Sequence, residues 1–223
     1  MNMKIIAVIP AYNEEKTIAE VLMNTRPFID WIIVVNDGSS DRTKEIANAH
    51  GAVVVSHVIN RGLGASIGTG FEMAKRLGAD IVVTLDADGQ HDPSEIPLFI
   101  QAIEKGADVV IGSRMLKRTG MPWYRQAANV LGNLVTFFLF GALVTDSQSG
   151  FRAFTAYALR QIEIQTNRME VSSELIAEAR RRKLTLAEVP IRAIYTDYSL
   201  SKGQSFTVGL KTLVKLVLRR IRQ

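Results

Sequence analysis

The sequence predicts an α/β protein in which a mostly parallel sheet is covered by helices on both faces. Three observations carry that expectation. Five short runs, at residues 5–9, 31–35, 52–56, 81–85 and 109–111, are rich in β-branched and apolar side chains. Helical patterns lie between most of them, the alternation that parallel strands joined by crossovers require. The segments after the first, second and fourth runs are unusually polar, and open α/β sheets bind ligands beyond the carboxyl ends of their strands.

Each element has a local justification. The first run leads into Pro10-Ala11-Tyr12-Asn13-Glu14-Glu15, where Asn13 ahead of two acids has the form of a helix N-cap. The second ends in Asn36-Asp37-Gly38-Ser39-Ser40-Asp41, with Ser40 or Asp41 as the next cap. After the third comes Asn60-Arg61-Gly62-Leu63-Gly64-Ala65-Ser66-Ile67-Gly68, glycine-rich and opening a helical pattern. It lacks the Lys-Ser/Thr of a P-loop and does not follow the first strand as a dinucleotide fingerprint must, so it reads as a close-packed turn. Its functional alternative is backbone approach to a nucleotide or sugar. Beyond the fourth run, Asp92-Pro93-Ser94-Glu95 supplies an N-cap, a first-position proline and a capping-box glutamate.

Composition narrows the function classes. At 223 residues, 47% hydrophobic and 22% charged, the chain can bury one well-formed core, and no repeat or linker divides it. There is no cysteine, which excludes disulfides and thiolate metal sites. Met1-Asn2-Met3-Lys4 leads directly into a β-like run, unlike a secretory leader. Residues 1–110 hold 9 Lys and Arg against 15 Asp and Glu, whereas residues 111–223 hold 18 against 7. A basic half suits nucleic acid, an anionic membrane or a phosphorylated substrate. Arg180-Arg181-Arg182-Lys183 is read more simply, as cations at a helix C-terminus.

Asp86-Ala87-Asp88-Gly89-Gln90 is the strongest chemical signal. A strand alternates its side chains, so Asp86, Asp88 and Gln90 leave the fourth run on roughly one side. Mg²⁺ and Mn²⁺ favour oxygen donors, and Mg²⁺ commonly takes one or two carboxylates and completes its shell with phosphate and water. A plain turn is the alternative for any Asp-x-Asp-Gly segment. A nucleotide also needs an acceptor for its base, an apolar or aromatic wall and donors for the ribose. Asp37, Tyr12 and the Pro10-Ala11 backbone are candidates.

The ordered set comprising Pro10-Ala11-Tyr12-Asn13-Glu14-Glu15, Asn36-Asp37-Gly38-Ser39-Ser40-Asp41, Asp86-Ala87-Asp88-Gly89-Gln90-His91, Gly112-Ser113-Arg114 and Ser149-Gly150-Phe151-Arg152 resembles the inverting family-2 glycosyltransferases of GT-A fold. Within that family the chain is similar to the dolichyl-phosphate mannose synthase and polyprenyl-phosphate glycosyltransferase group. The resemblance covers nearly the whole chain. It implies a nucleoside-diphosphate sugar as donor, a divalent metal and an inverting transfer of a mannose- or glucose-type sugar. By the same carry-over Pro10, Ala11, Tyr12, Glu14 and Asp37 contact the nucleotide. Asp86, Asp88 and Gln90 hold the metal, and Arg114, Arg152 and Lys202 meet phosphates, with Arg125 a further candidate. One domain over residues 1–223 is expected, with a nucleotide and metal half over about 1–115 and an acceptor half over about 116–223.

Two departures bear on the donor. Asn36 stands where many relatives carry an acid beside the aspartate, and Lys202 stands where an arginine is expected, giving a point charge without a bidentate fork.

The acceptor question turns on a general base. A hydroxyl acceptor needs a positioned carboxylate to take its proton. A phosphomonoester, with a second pKa near ~6, is already an oxyanion and needs cations instead. Arg114, Lys117, Arg118, Arg125, Arg152 and Lys202 suit the second case, with Asp146 the carboxylate available as base or positioning group. With Asp88 at the metal, these make Asp88, Arg114, Asp146 and Arg152 the expected catalytic set.

Residues 131–145 are apolar but shorter than the ~20 residues that span a bilayer, which leaves a buried or an interfacial helix. Near the end, Lys211, Lys215, Arg219 and Arg222 recur opposite Leu210, Leu213, Val214, Val217 and Ile221, the pattern of a basic amphipathic helix that docks on the core or on a membrane. The expectation is therefore a cytoplasmic enzyme, peripheral at the membrane face. It takes polyprenyl phosphate as acceptor, has no nucleic-acid partner and leaves room for a separate membrane-anchoring protein. The alternatives are transfer to a sugar hydroxyl in polysaccharide or glycolipid synthesis, a nucleotide-sugar pyrophosphorylase and a non-catalytic nucleotide-sugar-binding module. A pyrophosphorylase would usually carry a glycine-rich loop bearing Arg and Lys after its first strand, and residues 10–15 do not.

Overall fold

The computed structural model describes residues 3–116, 144–192 and 194, together with 130, 133 and 137. Lys117, Arg118, Arg125, Lys202 and the amphipathic segment around residues 210–222 lie outside the described residues, as does most of the apolar segment 131–145.

The strands are β1 (Ile5–Ala11), β2 (Trp31–Asn36), β3 (Val53–Ser56), β4 (Ile81–Thr84), β5 (Val109–Ser113), β6 (Arg152–Thr155) and β7 (Leu186–Pro190). Among the described residues they form one sheet in the order β3-β2-β1-β4-β6-β5-β7. All five runs read from the sequence are strands within it. β1 pairs in parallel with β2 and β4, β2 with β3, and β5 with β7. β6 is antiparallel to both of its neighbours, β4 and β5. It begins with a buried arginine, and β7 carries Glu188 among its apolar residues, so neither presents a clean β-branched run.

Among the described residues the helices with defined bounds are α1 (Ile18–Thr25), α2 (Thr43–Ala49), α3 (Leu63–Arg76), α4 (Ile96–Glu104), α5 (Ala156–Gln161) and α6 (Val171–Arg181). Strand alternation sorts the core into two layers. Ala7, Ile9, Ile32, Val34, Ile81 and Val83 pack with Ile18, Leu22, Ala47 and Phe99 of α1, α2 and α4. Ile6, Val8, Ile33, Val35, Val82 and Phe154 pack with Phe71, Leu159 and Leu175 of α3, α5 and α6. Two helical layers on a mainly parallel sheet explain why the strand sequences are apolar on both sides. Each fully buried Ile or Phe contributes about 1.5–3 kcal/mol.

The helix starts differ in part from the sequence expectation. Asp92 accepts from Ser94 N–H at 3.0 Å, capping a 3₁₀ turn at Pro93–Glu95 that runs into α4. The Glu95 carboxylate accepts the Arg192 N–H with both oxygens at 3.1 Å, tying α4 to the chain after β7. Asn13 does not cap α1, which starts later, after Thr17. It takes a left-handed φ of 55° and joins two loops instead. The N-cap position of α2 falls to Arg42, which makes no side-chain cap bond, in place of the expected Ser40 or Asp41; Asp41 sits one residue further out and accepts Thr43 N–H at 3.0 Å.

Candidate active site

Because β1 to β5 and β7 run in one sense, their following loops gather at one edge. Antiparallel β6 contributes to the same edge through the loop that precedes it. This brings the segments after β1, β2, β3, β4 and β5 together with Asp146-Ser147-Gln148-Ser149-Gly150.

The first two loops are stitched to each other. Asn13 N–H donates to Ser39 Oγ at 3.0 Å, and Asn13 Oδ1 accepts Ser40 N–H at 2.9 Å. Glu14 N–H donates to Thr43 Oγ1 at 2.8 Å and Glu15 N–H to Asp41 at 3.1 Å. Tyr12, 47% exposed, stands clear of this seam, while Ala11 is buried beneath it. Asn36 is buried, accepting from Ser39 N–H and donating to Ser56 Oγ, so it shapes the turn. Asp37 is 4% exposed, and its carboxylate accepts from Arg61 N–H, Gly62 N–H and His57. Gly62 has φ +100°, and a Cβ there would lie 2.4 Å from Asn167 O. The glycine-rich segment is thus the close-packed turn its sequence suggested.

The loop after β4 holds the acids. Asp86 and Asp88 are half-buried. Desolvation raises the Asp86 pKa, opposed by the charges of Arg114 and Arg152. Desolvation also raises that of Asp88, with the Asp86 charge adding to it. Gln90 folds back on Asp88, its backbone N–H donating to Oδ1 at 3.0 Å and its side-chain amide to Oδ2. Thr17 Oγ1 donates to Ala87 O at 2.8 Å, and Ile194 N–H to Gln90 O at 3.0 Å. His91 lies beneath, 7% exposed and 5.2 Å from the Phe151 ring. Burial pushes its pKa down to about 4, so the ring is neutral at pH 7. Asp86 N–H donates to its Nδ1 at 3.3 Å, which places the ring proton on Nε2.

Two carboxylates that resist ionisation, one partly because of the other, fit a divalent cation, whose charge removes that penalty. Among the described residues no three acidic or imidazole side chains form a self-sufficient cage. A cation between Asp86 and Asp88 would need further oxygen donors, from a nearby side chain or from ligand and water, as Mg²⁺ does beside phosphates.

On the far side, Arg114 follows β5 and forks onto Asp146, Nε to Oδ2 at 2.7 Å and Nη2 to Oδ1 at 2.8 Å. Asp146 is fully buried. Asn133 Oδ1 accepts the next N–H, that of Ser147, at 2.9 Å. Gly150 abuts the acids, since a Cβ there would fall 2.4 Å from both Asp86 oxygens. Arg152 is not at the open surface. It is 2% exposed and donates to Ser149 O, Ser147 O and Ser172 O at 2.9, 2.8 and 2.9 Å. Burial lowers its pKa to about 10, which still leaves it charged at pH 7.

The expected residues Pro10, Ala11, Tyr12, Glu14, Asp37, Asp86, Asp88, Gln90, Arg114, Asp146 and Arg152 thus share one sheet edge, Arg152 from beneath. Two histidines join this edge without a role expected from the sequence: His57, outside every motif, and His91, quoted only as the end of the Asp86–His91 motif. Each is the polar residue closing a strand loop, and that position was the available signal.

Residues 6–163 match the family model described as glycosyl transferase family 2. A UDP-N-acetylglucosamine–dolichyl-phosphate N-acetylglucosaminyltransferase of Methanococcus voltae is 38% identical over 97% of this chain and 96% of its own length. An undecaprenyl-phosphate mannosyltransferase of Micrococcus luteus is 31% identical, covering 93% and 90%. Among solved structures, glucosyl-3-phosphoglycerate synthase of Mycobacterium tuberculosis, in complex with Mn²⁺, UDP and glucosyl-3-phosphoglycerate, superposes with a TM-score of 0.77 at 22% identity, covering 98% of this chain and 80% of that one. The sheet with its two helical layers is the GT-A fold of that structure, and the chain belongs to glycosyl transferase family 2.

Proposed function

We propose that this protein moves a sugar from a nucleoside diphosphate to a polyprenyl phosphate, with inversion at the anomeric carbon. The observation that carries the acceptor assignment is the Arg114–Asp146 fork. Asp146 is fully buried with both oxygens engaged, so it suits positioning Arg114 and not removing a proton from a hydroxyl. A phosphate acceptor needs no such base, because with a second pKa near ~6 it is mostly the dianion at pH 7 and an oxyanion in either form. The names of the Methanococcus and Micrococcus relatives print dolichyl and undecaprenyl phosphate, which supports the same reading.

In this scheme the loops after β1, β2 and β3 hold the nucleoside, with Tyr12 as an exposed wall and Asp37 at the base. Asp86, Asp88 and Gln90 would hold Mg²⁺ or Mn²⁺, which when bound would supply Lewis-acid stabilisation of the departing diphosphate. Arg114, held rigid by Asp146, receives acceptor phosphate charge. The acceptor oxygen forms its bond to the anomeric carbon as the bond to the diphosphate breaks. Arg152 acts from below, fixing the loop that carries Asp146 and Gly150. Among the described residues no helix is long and apolar enough to cross a membrane. Peripheral docking at the cytoplasmic membrane face, alone or through an anchoring protein, completes the proposal.

The test supplies a panel of nucleotide sugars with Mn²⁺ and either a short polyprenyl phosphate or the matching free polyprenol and sugar hydroxyls. Nucleoside diphosphate release and glycolipid formation are expected with the phosphate alone. Transfer to hydroxyls without transfer to the phosphate would reverse the acceptor assignment.

A further inference from the structure

His57 is a buried imidazole that the scheme above leaves unused. Its side chain is 6% exposed, and both ring nitrogens are engaged. Nδ1 lies 2.6 Å from Asp37 Oδ1, and Nε2 lies 2.9 Å from Thr69 Oγ1 on α3. The same Asp37 carboxylate accepts Arg61 N–H at Oδ1, 2.9 Å, and Gly62 N–H at Oδ2, 2.7 Å. With backbone donors on both oxygens the carboxylate is the acceptor throughout, so His57 donates from Nδ1 while its Nε2 pairs with the Thr69 hydroxyl.

The count of acceptor positions then matters. A carboxylate offers about four lone-pair sites, two on each oxygen. Oδ1 has both filled, by His57 and Arg61, and Oδ2 has one filled, by Gly62. Among the described residues one position remains, on Oδ2. Guanine presents two parallel donors, its ring N1–H and its 2-amino group, and a carboxylate that reads it offers one free oxygen to each. Uracil presents a single N–H. A guanine at Asp37 would set its second donor against an oxygen already saturated, leaving a buried N–H unpaired, which disfavours that ligand by about tenfold or more.

We propose that His57 is a specificity-determining positioning residue: by occupying Oδ1 of Asp37 it leaves a single acceptor for the donor base and selects a uridine over a guanosine diphosphate sugar. The inference rests on the reading that the loops after β1, β2 and β3 hold the donor nucleoside.

The test is calorimetric binding of UDP and of GDP to the full chain with Mn²⁺, for the wild type and for His57→Phe, His57→Gln and Thr69→Val. Thermal melts of each variant report folding. The wild type is expected to bind UDP about tenfold or more tightly than GDP. His57→Phe, which frees one position on Oδ1, should weaken UDP and bring the two affinities together, whereas His57→Gln, which keeps a donor, should retain most of the preference. Thr69→Val removes only the far partner of the ring and should erode the preference in part, which keeps the test open if His57→Phe fails to fold. Equal or tighter binding of GDP by the wild type would overturn the inference, as would equal losses for both nucleotides in the variants. Failure of the wild type to bind either nucleotide would instead overturn the donor-site reading on which it rests.

Discussion

Arg114 and Asp146, 32 residues apart in the chain, meet in a closed fork in which Asp146 Oδ2 also accepts the Arg114 backbone N–H at 3.1 Å. Arg114 keeps a side-chain exposure of 20% while Asp146 has none. The pair is therefore a buried anion holding a cation at the edge of the cleft. Truncating one partner of such a pair is costly because the other is left with uncompensated charge.

Asp146→Asn should thus destabilise the fold by about 3 kcal/mol, the lower end for a broken buried ion pair, since Arg114 retains some solvent. Urea titration measures it. In steady-state assays the variant should lose turnover with a phosphate acceptor through mispositioning of Arg114. A loss confined to hydroxyl acceptors would instead point to Asp146 as a base.

Gly150→Ala tests the contact that shapes the metal loop. Its new Cβ would fall 2.4 Å from both oxygens of Asp86, so the carboxylate must turn away. Mn²⁺ affinity, read by calorimetry in the presence of nucleoside diphosphate, should drop about 10–100-fold, the range for a lost supporting contact at a metal site. The melting temperature of the metal-free protein should change far less than the affinity.

Asp86→Asn separates stability from function. The Asp86 pKa is raised in the fold, chiefly by desolvation, so the native state holds the proton more tightly than the unfolded chain does. Stability from this group is present at acid pH and is lost as pH rises through its raised pKa. At pH 7 the ionised side chain is a cost, and the neutral amide should raise the melting temperature of the metal-free protein. The wild type should gain stability from the cation, about 2.7 kcal/mol at a hundredfold excess over Kd, and a chelator should reverse that gain. The variant should show no such response and no turnover.

Arg152→Met should be among the more damaging single changes. It leaves Ser147 O, Ser149 O and Ser172 O without their guanidinium donors and removes a positive charge beneath the acids. A loss of about 3 kcal/mol or more is expected from unsatisfied buried carbonyls. Arg152→Lys should fold better yet keep a reduced kcat with little change in donor KM, because an ammonium does not reproduce the planar fork. A large rise in donor KM in that variant would restore the direct phosphate contact that the resemblance implied.

Local sequence determined a good deal of this protein. Alternating apolar runs specified five strands, because residues such as Ile6 and Ala7 must face opposite helical layers. The polar segments closing those runs marked the ligand edge, because parallel strands end together. Asp86, Asp88 and Gln90 were legible as a run of oxygen-bearing side chains at the polar end of the fourth strand, but β4 stops at Thr84 and residues 87–89 form a turn, so their placement comes from that turn and not from strand periodicity. Tertiary structure decided what each polar side chain faces. β6 was hidden, being short, antiparallel and headed by Arg152, yet its insertion between β4 and β5 is what delivers Asp146 to Arg114 and Gly150 to Asp86. Asn13 had the form of a cap and became a staple between loops, and Arg152 had the form of a phosphate ligand and became a buried clamp. Hydrogen-bond partners of this kind lie tens of residues away, and burial decides whether a charge meets solvent, a ligand or a carbonyl, so neither composition nor spacing could assign them.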